Sequence, residues 1–371
     1  MEIKAYDQVV TDEYAIYHGD SCEIIKAIPD NSIHFGLHSP PFEGLYKFSN
    51  DPRDISNNEG DDFWTHYGFL IGEMLRVTMP GRLHAVHCMQ LPTSKTRDGV
   101  IGMRDFRGEI IRAYCGDELN DLNRAISMVL DKIADLEIEG DVTGMGRLRE
   151  MLHRWQEERE EAAIKAGRWI FHSEVCIWKD PVVAQQRTKS LRLLHKQVEK
   201  DSAMSGQGLA DYIVTFRKPG DNPEPVSGRL TEYVGEGNEP ASVESRLGGK
   251  SRADAEKWYS IEVWQRYASP VWMDINQSRT LQYRNGRDEK DEQHISPLQL
   301  DVIERCIHLW SNPGDTVFTP FLGIGSEVFG AVEMGRYGLG VELKASYFRQ
   351  AVKNLEGASR RRKADLFTAA E

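Results

Sequence analysis

The sequence has no uninterrupted apolar run near the roughly 20 residues that a membrane span requires, and its opening M-E-I-K-A-Y-D has no signal-peptide core. Its five cysteines (Cys22, Cys88, Cys115, Cys176, Cys306) are scattered, with no C-x-x-C pair. That spacing argues against a structural zinc site and for a reducing, cytoplasmic setting. Positive charge is not in excess: 46 Lys and Arg face 58 Asp and Glu, for a formal charge of −12. A nucleic-acid partner would therefore have to meet a local basic face. The nucleotide signatures G-x-G-x-x-G and G-K-[ST] are missing, which disfavours NAD and excludes a P-loop. No Pro-Cys pair occurs, so no cysteine is placed for attack on a ring carbon.

What is present is an α/β rhythm. Short apolar runs at Tyr14–Tyr17, Ser32–Leu37, Leu83–Cys88, Trp169–Ile177, Tyr212–Phe216, Thr316–Thr319 and Leu339–Glu342 alternate with helical patterns at about 21–28, 62–78, 104–116, 297–310, 325–335 and 344–355. These predict a seven-stranded, doubly wound, Rossmann-like sheet with ligands at the strands' carboxyl ends. Two segments break the rhythm. In 117–166, Leu119, Leu122, Ile126, Val129, Ile133 and Leu136 form a heptad seam, followed by a second helical run with Leu148, Leu152 and Trp155. This predicts an antiparallel helical hairpin that packs on its own domain or on a second subunit, giving a homodimer. Residues 220–290 are rich in Gly, Pro, Asn and Ser and too long for an ordinary loop. They are expected to form a small recognition module, leaving 1–219 and 291–371 as the main domain.

Two strand ends carry chemistry. Near 314–330 a strand runs into Gly323-Ile324-Gly325 and then a helix, a turn that lets the backbone approach a ligand closely. The next strand ends at Glu342, an acid suited to both hydroxyls of a ribose. The other strand end is Ser39-Pro40-Pro41-Phe42, where two prolines stop the ladder behind a hydroxyl and ahead of an aromatic.

Together these motifs resemble the amino-methyltransferases that act on exocyclic nitrogens of DNA bases, which carry [DNS]-P-P-[FYW] at one strand end and F-x-G-x-G at another. Phe321-Leu322-Gly323-Ile324-Gly325 matches the second. The resemblance extends to Gly19-Asp20 with E-I-I-K-A-I-P-D-N-S at 23–32, to E-M-L-R-V-T-M-P-G-R-L-H-A-V-H at 73–87, and to D-E-Q-H-I-S-P-L-Q-L-D-V-I-E-R-C-I at 291–307. With the catalytic motif first, the order is that of the family's beta class. The resemblance implies S-adenosylmethionine as donor, a flipped cytosine or adenine in double-stranded DNA as acceptor, and a bacterial or phage-encoded, nucleoid-associated protein. It implies cofactor contacts from Asp20, Ser296, Thr319, Phe321, Gly323, Gly325 and Glu342. Two positions depart from the family pattern. Its D-P-F is Thr319-Pro320-Phe321 here, which loses a carboxylate near the cofactor's ammonium, and Leu298 replaces a lysine of H-P-T-Q-K-P.

An exocyclic amine is a weak nucleophile because its lone pair is delocalised into the ring. Ser39 Oγ and the Pro40 carbonyl would accept its two N–H groups, Pro41 would stiffen the turn, and Phe42 would stack on the base. Ser at the first position leans towards cytosine N4, with adenine N6 close behind. His38 reads as a packing residue. Arg187, Lys189, Arg192 and Lys196 form a candidate phosphate-binding face, and K-T-R at 95–97, with Arg104 and Arg107, follows another strand at its expected carboxyl edge. Trp258, Trp264 and Trp272 are types suited to stacking on bases, and the terminal S-R-R-R-K reads as a disordered basic tail. Competing readings are an RNA amino-methyltransferase and a catalytically weak DNA-binding regulator that keeps the fold.

Overall fold

In the computed structural model the apolar run ahead of Ser39 is a fully internal strand. The structure describes the chain except residues 1–2, 43–50, 117–128, 131, 134–135, 137–141, 189–190, 249–250, 283–296 and 369–371. Eleven strands are present among the described residues: β1 (Asp7–Val10), β2 (Tyr14–His18), β3 (Ile33–His38), β4 (Thr78–Met89), β5 (Leu91–Thr93), β6 (Gly102–Arg104), β7 (Ile170–Ile177), β8 (Asp211–Arg217), β9 (Val271–Trp272), β10 (Thr316–Thr319) and β11 (Tyr337–Glu342). Nine build one sheet in the order β1-β2-β11-β10-β3-β4-β8-β7-β9, and β5 pairs with β6 apart from it. Strands β2, β11, β10, β3 and β4 run parallel, whereas β8 is antiparallel to β4 and to β7.

The parallel strands are uniformly apolar because both of their faces are covered. On one face pack the helices Leu300–Trp310, Ser326–Glu333 and Ala345–Thr368, through Ile303, Ile307, Val328, Val332, Ala351 and Leu355. On the other pack Asp61–Val77 and Phe106–Cys115, through Phe63, Tyr67, Leu70, Met74, Phe106 and Ile110. This is the doubly wound, Rossmann-like architecture expected from the sequence. Strand β10 leads to β11 on one side, while its other neighbour β3 leads to β4 on the opposite side. The connections thus diverge between β10 and β3 and leave a crevice at their carboxyl ends.

Under the crevice lies a buried polar chain. His38 Nδ1 is 2.8 Å from His84 Nε2, His38 Nε2 is 2.9 Å from Tyr67 Oη, and that hydroxyl is 3.2 Å from Tyr114 Oη. Burial holds the His84 imidazole down to about 3 and His38 well below its ordinary range, so both rings are neutral packing groups. Gly36 makes room for them, since a Cβ there would lie 1.9 Å from His84 Nδ1. Gly36→Ala is expected to destabilise the fold by about 3 kcal/mol, through overpacking of a rigid polar cluster. Chemical denaturation would register this as a lower midpoint at unchanged slope.

The two irregular segments behave differently. Val142–Ala166 is a helix, while Leu119, Leu122 and Ile126 of the expected hairpin lie outside the described residues. Within 220–290, the helix Arg252–Tyr267 is docked on Leu300–Trp310 by the buried Arg305. Its Nη1 lies 2.9 Å from Asp274 Oδ1, its Nε donates to the Val234 carbonyl at 3.1 Å, and its guanidinium covers the Tyr267 and Trp272 rings. Trp272 is thus a core residue and not a stacking platform, while Trp258 and Trp264 are 50% and 56% exposed. The stretch S-R-R-R-K, expected to be a disordered tail, continues the helix Ala345–Thr368.

Candidate active site

The tips of β3, β10 and β11 and the loop after β2 converge on an open cleft. Ser39, Pro40, Pro41 and Phe42 form one wall, and Phe321, Gly323, Glu327 and Glu342 stand on another, with Asp20 at its edge. Residues separated by most of the chain's length therefore share one cavity.

On the glycine side, Glu342 ties the loop to β11. Its Oε2 accepts from the Gly323 N–H at 2.8 Å and its Oε1 from the Lys344 N–H at 2.7 Å. Burial pushes its carboxyl up to about 7 despite these bonds. Gly323 (φ 55°) and Gly325 (φ 95°) hold left-handed backbone, and Gly325 caps the helix Ser326–Glu333. Nothing lies within 4 Å of a Cβ built at Gly323, so the backbone there faces open space. Asp20 caps the helix Ser21–Ile24 by accepting from the Cys22 N–H at 2.9 Å, and Ser21 Oγ donates to the Pro320 carbonyl. A nucleoside cofactor fits this cradle, which offers a carboxylate at the strand end and a glycine backbone open to approach.

Not every expected cofactor residue is here. Thr319 is fully buried beneath the loop and does not line the cleft, and Gly325 contributes backbone turn and helix cap, not cleft surface. Leu298 lines the cleft as a buried apolar residue, and Ser296 lies outside the described residues.

On the other wall Ser39 has a partner that motif reading did not pick out. Ser39 Oγ is 2.8 Å from His87 Nδ1, near the end of β4. The carboxylate of Asp211, 2% exposed at the start of β8, lies 3.1 Å from His87 Nε2. Lys179 Nζ stands 3.0 Å from that carboxylate and 3.0 Å from Gln299 Oε1. A carboxylate beside Nε2 favours the tautomer with its proton there. His87 Nδ1 is then an acceptor, Ser39 donates to it, and the serine lone pairs are left to the cleft. Phe42 has its edge against Phe106, at 6.2 Å between ring centres. Cys22 also lines the cleft, but burial pushes its thiol up to about 12, so it offers no thiolate.

Of the candidate phosphate-binding residues, the described Arg192 and Lys196 do not line the cleft. Arg192 is half-buried and Lys196 exposed in the segment that follows β7, Lys189 lies outside the described residues, and only the backbone of Arg187 is described. That segment leaves the sheet at the same edge as Ser39, because β7 runs parallel to β4. Arg104 and Arg107, in contrast, are held by Glu109 and Glu174 at 2.7 and 2.8 Å.

A Rossmann-like sheet with a glycine-loop nucleoside cradle facing a hydroxyl–imidazole pair defines a group-transfer enzyme. The chain belongs to the N6/N4 family of DNA methylases, whose DNA methylase family model matches residues 33–353. It is 23% identical over 365 residues to the Type II methyltransferase M.BglI of Bacillus subtilis, spanning 92% of this chain and 85% of that protein. It is 36% identical over 86 residues to the Type II methyltransferase M1.MboII of Moraxella bovis, a match over 23% of this chain and only 32% of that protein's length. In fold it resembles the cytosine-N4-specific PvuII DNA methyltransferase, with a TM-score of 0.51, 13% identity, and 93% and 87% of the two chains covered. Among the described residues no helix is long and apolar enough to cross a membrane.

Proposed function

We propose that the protein transfers a methyl group from S-adenosylmethionine to the N4 amine of a cytosine flipped out of double-stranded DNA, in a Type II modification role. The observation that carries the reading is the shared cleft, with Ser39 and Pro40 on one wall and the Glu342-anchored glycine loop on another. The bound cofactor supplies a methyl group already activated on a sulfonium. The chain's own task is positioning. Glu342 takes the ribose diol, and Asp20 and Phe321 flank the nucleoside. Ser39 Oγ and the Pro40 carbonyl accept the two amine N–H groups, which turns the nitrogen lone pair towards the methyl. Phe42 stacks on the extruded base and offsets part of the few kcal/mol lost on unstacking.

Once the nitrogen–methyl bond forms and the sulfur–methyl bond breaks, the product amine carries one proton too many. Ser39 can take it while passing its own to His87 Nδ1, and Asp211 stabilises the resulting imidazolium. Serine as the first motif residue favours cytosine; adenine N6 presents a similar amidine edge to the same clamp. The basic residues Arg187, Lys189, Arg192 and Lys196 are assigned to phosphates around the flipped base, supported for Arg192 and Lys196 by a segment that follows β7 from the same sheet edge as Ser39. Residues 220–290 are assigned to target recognition, supported by their exposed Trp258 and Trp264. The test is transfer of tritiated methyl from S-adenosylmethionine to unmethylated genomic DNA. Wild type should label DNA well above a Ser39→Ala/Phe42→Ala double variant; equal labelling would sink the reading.

A further inference from the structure

Glu327 is an acid in an unusual place. It sits in the first turn of the helix Ser326–Glu333, is only 6% exposed, and lines the cleft beside Gly323 and Ser326. Burial pushes its carboxyl up to about 8, and only its own backbone N–H opposes the shift. The one cationic side chain lining the cleft among the described residues, Arg53, is engaged by Asp51, with Nε 2.9 Å from Oδ1. With no free cation beside it among the described cleft residues, the buried carboxyl is costly to ionise. Such a group persists most readily where a ligand supplies the opposite charge. On the other side of the glycine turn, the residue at the end of β10 is Thr319, which carries no charge and does not reach the cleft.

We propose that Glu327 is the carboxylate that receives the α-ammonium of the donor's methionine moiety. The assignment rests on the S-adenosylmethionine reading of this cleft and goes beyond it by orienting the ligand. Of the four carboxylates lining the cleft, Glu342 and Asp20 are placed for the nucleoside end, Asp54 lies near Glu342 and accepts from the Ser56 N–H at 2.9 Å, and Ser39 marks where the methyl must react. Glu327 is then left for the amino-acid end. An ammonium has three N–H donors for a carboxylate, whereas a sulfonium has none. A carboxylate on the sulfonium would also oppose transfer, because the sulfur loses its charge as the methyl leaves. Glu327 therefore holds the end of the donor whose charge does not change.

The test is calorimetric titration of the full chain and of Glu327→Gln with three ligands. S-adenosylmethionine has both cations, S-adenosylhomocysteine keeps only the ammonium, and 5′-methylthioadenosine lacks the amino-acid end. Glu327→Gln is expected to weaken the first two by about 10- to 100-fold, as loss of a charge-assisted bond does, and to leave the third within about twofold. The ligand-free variant should also melt higher than wild type at about pH 9, where an uncompensated buried carboxylate is removed. Unchanged affinity for S-adenosylhomocysteine overturns the proposal, as does an equal loss for all three ligands or a lower melting temperature. A loss confined to S-adenosylmethionine also overturns it, by making Glu327 the sulfonium's partner. If wild type binds neither sulfur ligand that carries an ammonium, the donor reading itself fails along with it.

Discussion

Ser39→Ala is expected to slow methyl transfer by about 10²–10³-fold while leaving donor affinity within about twofold. The hydroxyl touches neither the glycine loop nor Glu342. Its loss removes one of two acceptors for the amine and cuts the route to His87. His87→Gln should reproduce part of the loss in a distinctive way. The serine would keep a hydrogen-bond partner but lose a proton acceptor, so the rate should fall by less than in Ser39→Ala and the rise of rate with pH that an imidazole acceptor gives should flatten. Single-turnover transfer, measured across pH with donor saturating, separates the two variants. A Ser39→Ala enzyme with full turnover would remove the acceptor clamp from the mechanism.

Glu342→Ala is expected to weaken donor binding by about 100-fold, because one side chain makes two separable contributions. It fixes the glycine loop through the Gly323 and Lys344 amides, and in the proposed reading it accepts from the ribose hydroxyls. Its pH dependence follows from burial, which raises the carboxyl to about 7. Only the ionised form accepts from a diol with both oxygens. Donor affinity should therefore be lower at about pH 6 than at about pH 8, and Glu342→Gln should flatten that part of the profile. Calorimetry at the two pH values is the check. An unchanged constant in Glu342→Ala would remove the ribose assignment.

Much of the fold was legible because its parallel strands are buried on both faces and read as plain apolar runs. The strands that escaped notice are the ones with weak signals. Strand β1, Asp-Gln-Val-Val, is largely exposed at the sheet edge, and β9 is only two residues long. Strand β4 begins at Thr78, earlier than expected, because Pro80 and Gly81 within it read as a break. At the site, Ser39-Pro40-Pro41-Phe42 and the glycine loop stood out by motif. His87 and Asp211 did not, since only the antiparallel pairing of β4 with β8 brings them together. Their one visible signal was a polar residue close to an otherwise apolar strand end. Glu327 was silent for a related reason: an acid in a helix's first turn ordinarily reads as a capping residue, and only the fold reveals that it is buried beside a cleft.

The central claim is methyl transfer to an exocyclic amine, and the most direct measurement is mass spectrometry of nucleosides. DNA from a methylation-free host expressing the protein would be digested completely and compared with DNA from a host expressing Ser39→Ala. The account predicts N4-methylcytosine with the wild-type chain and little or none with the variant. N6-methyladenine instead would keep the clamp and overturn the choice of base. 5-Methylcytosine, or no modified base at all, would contradict the account.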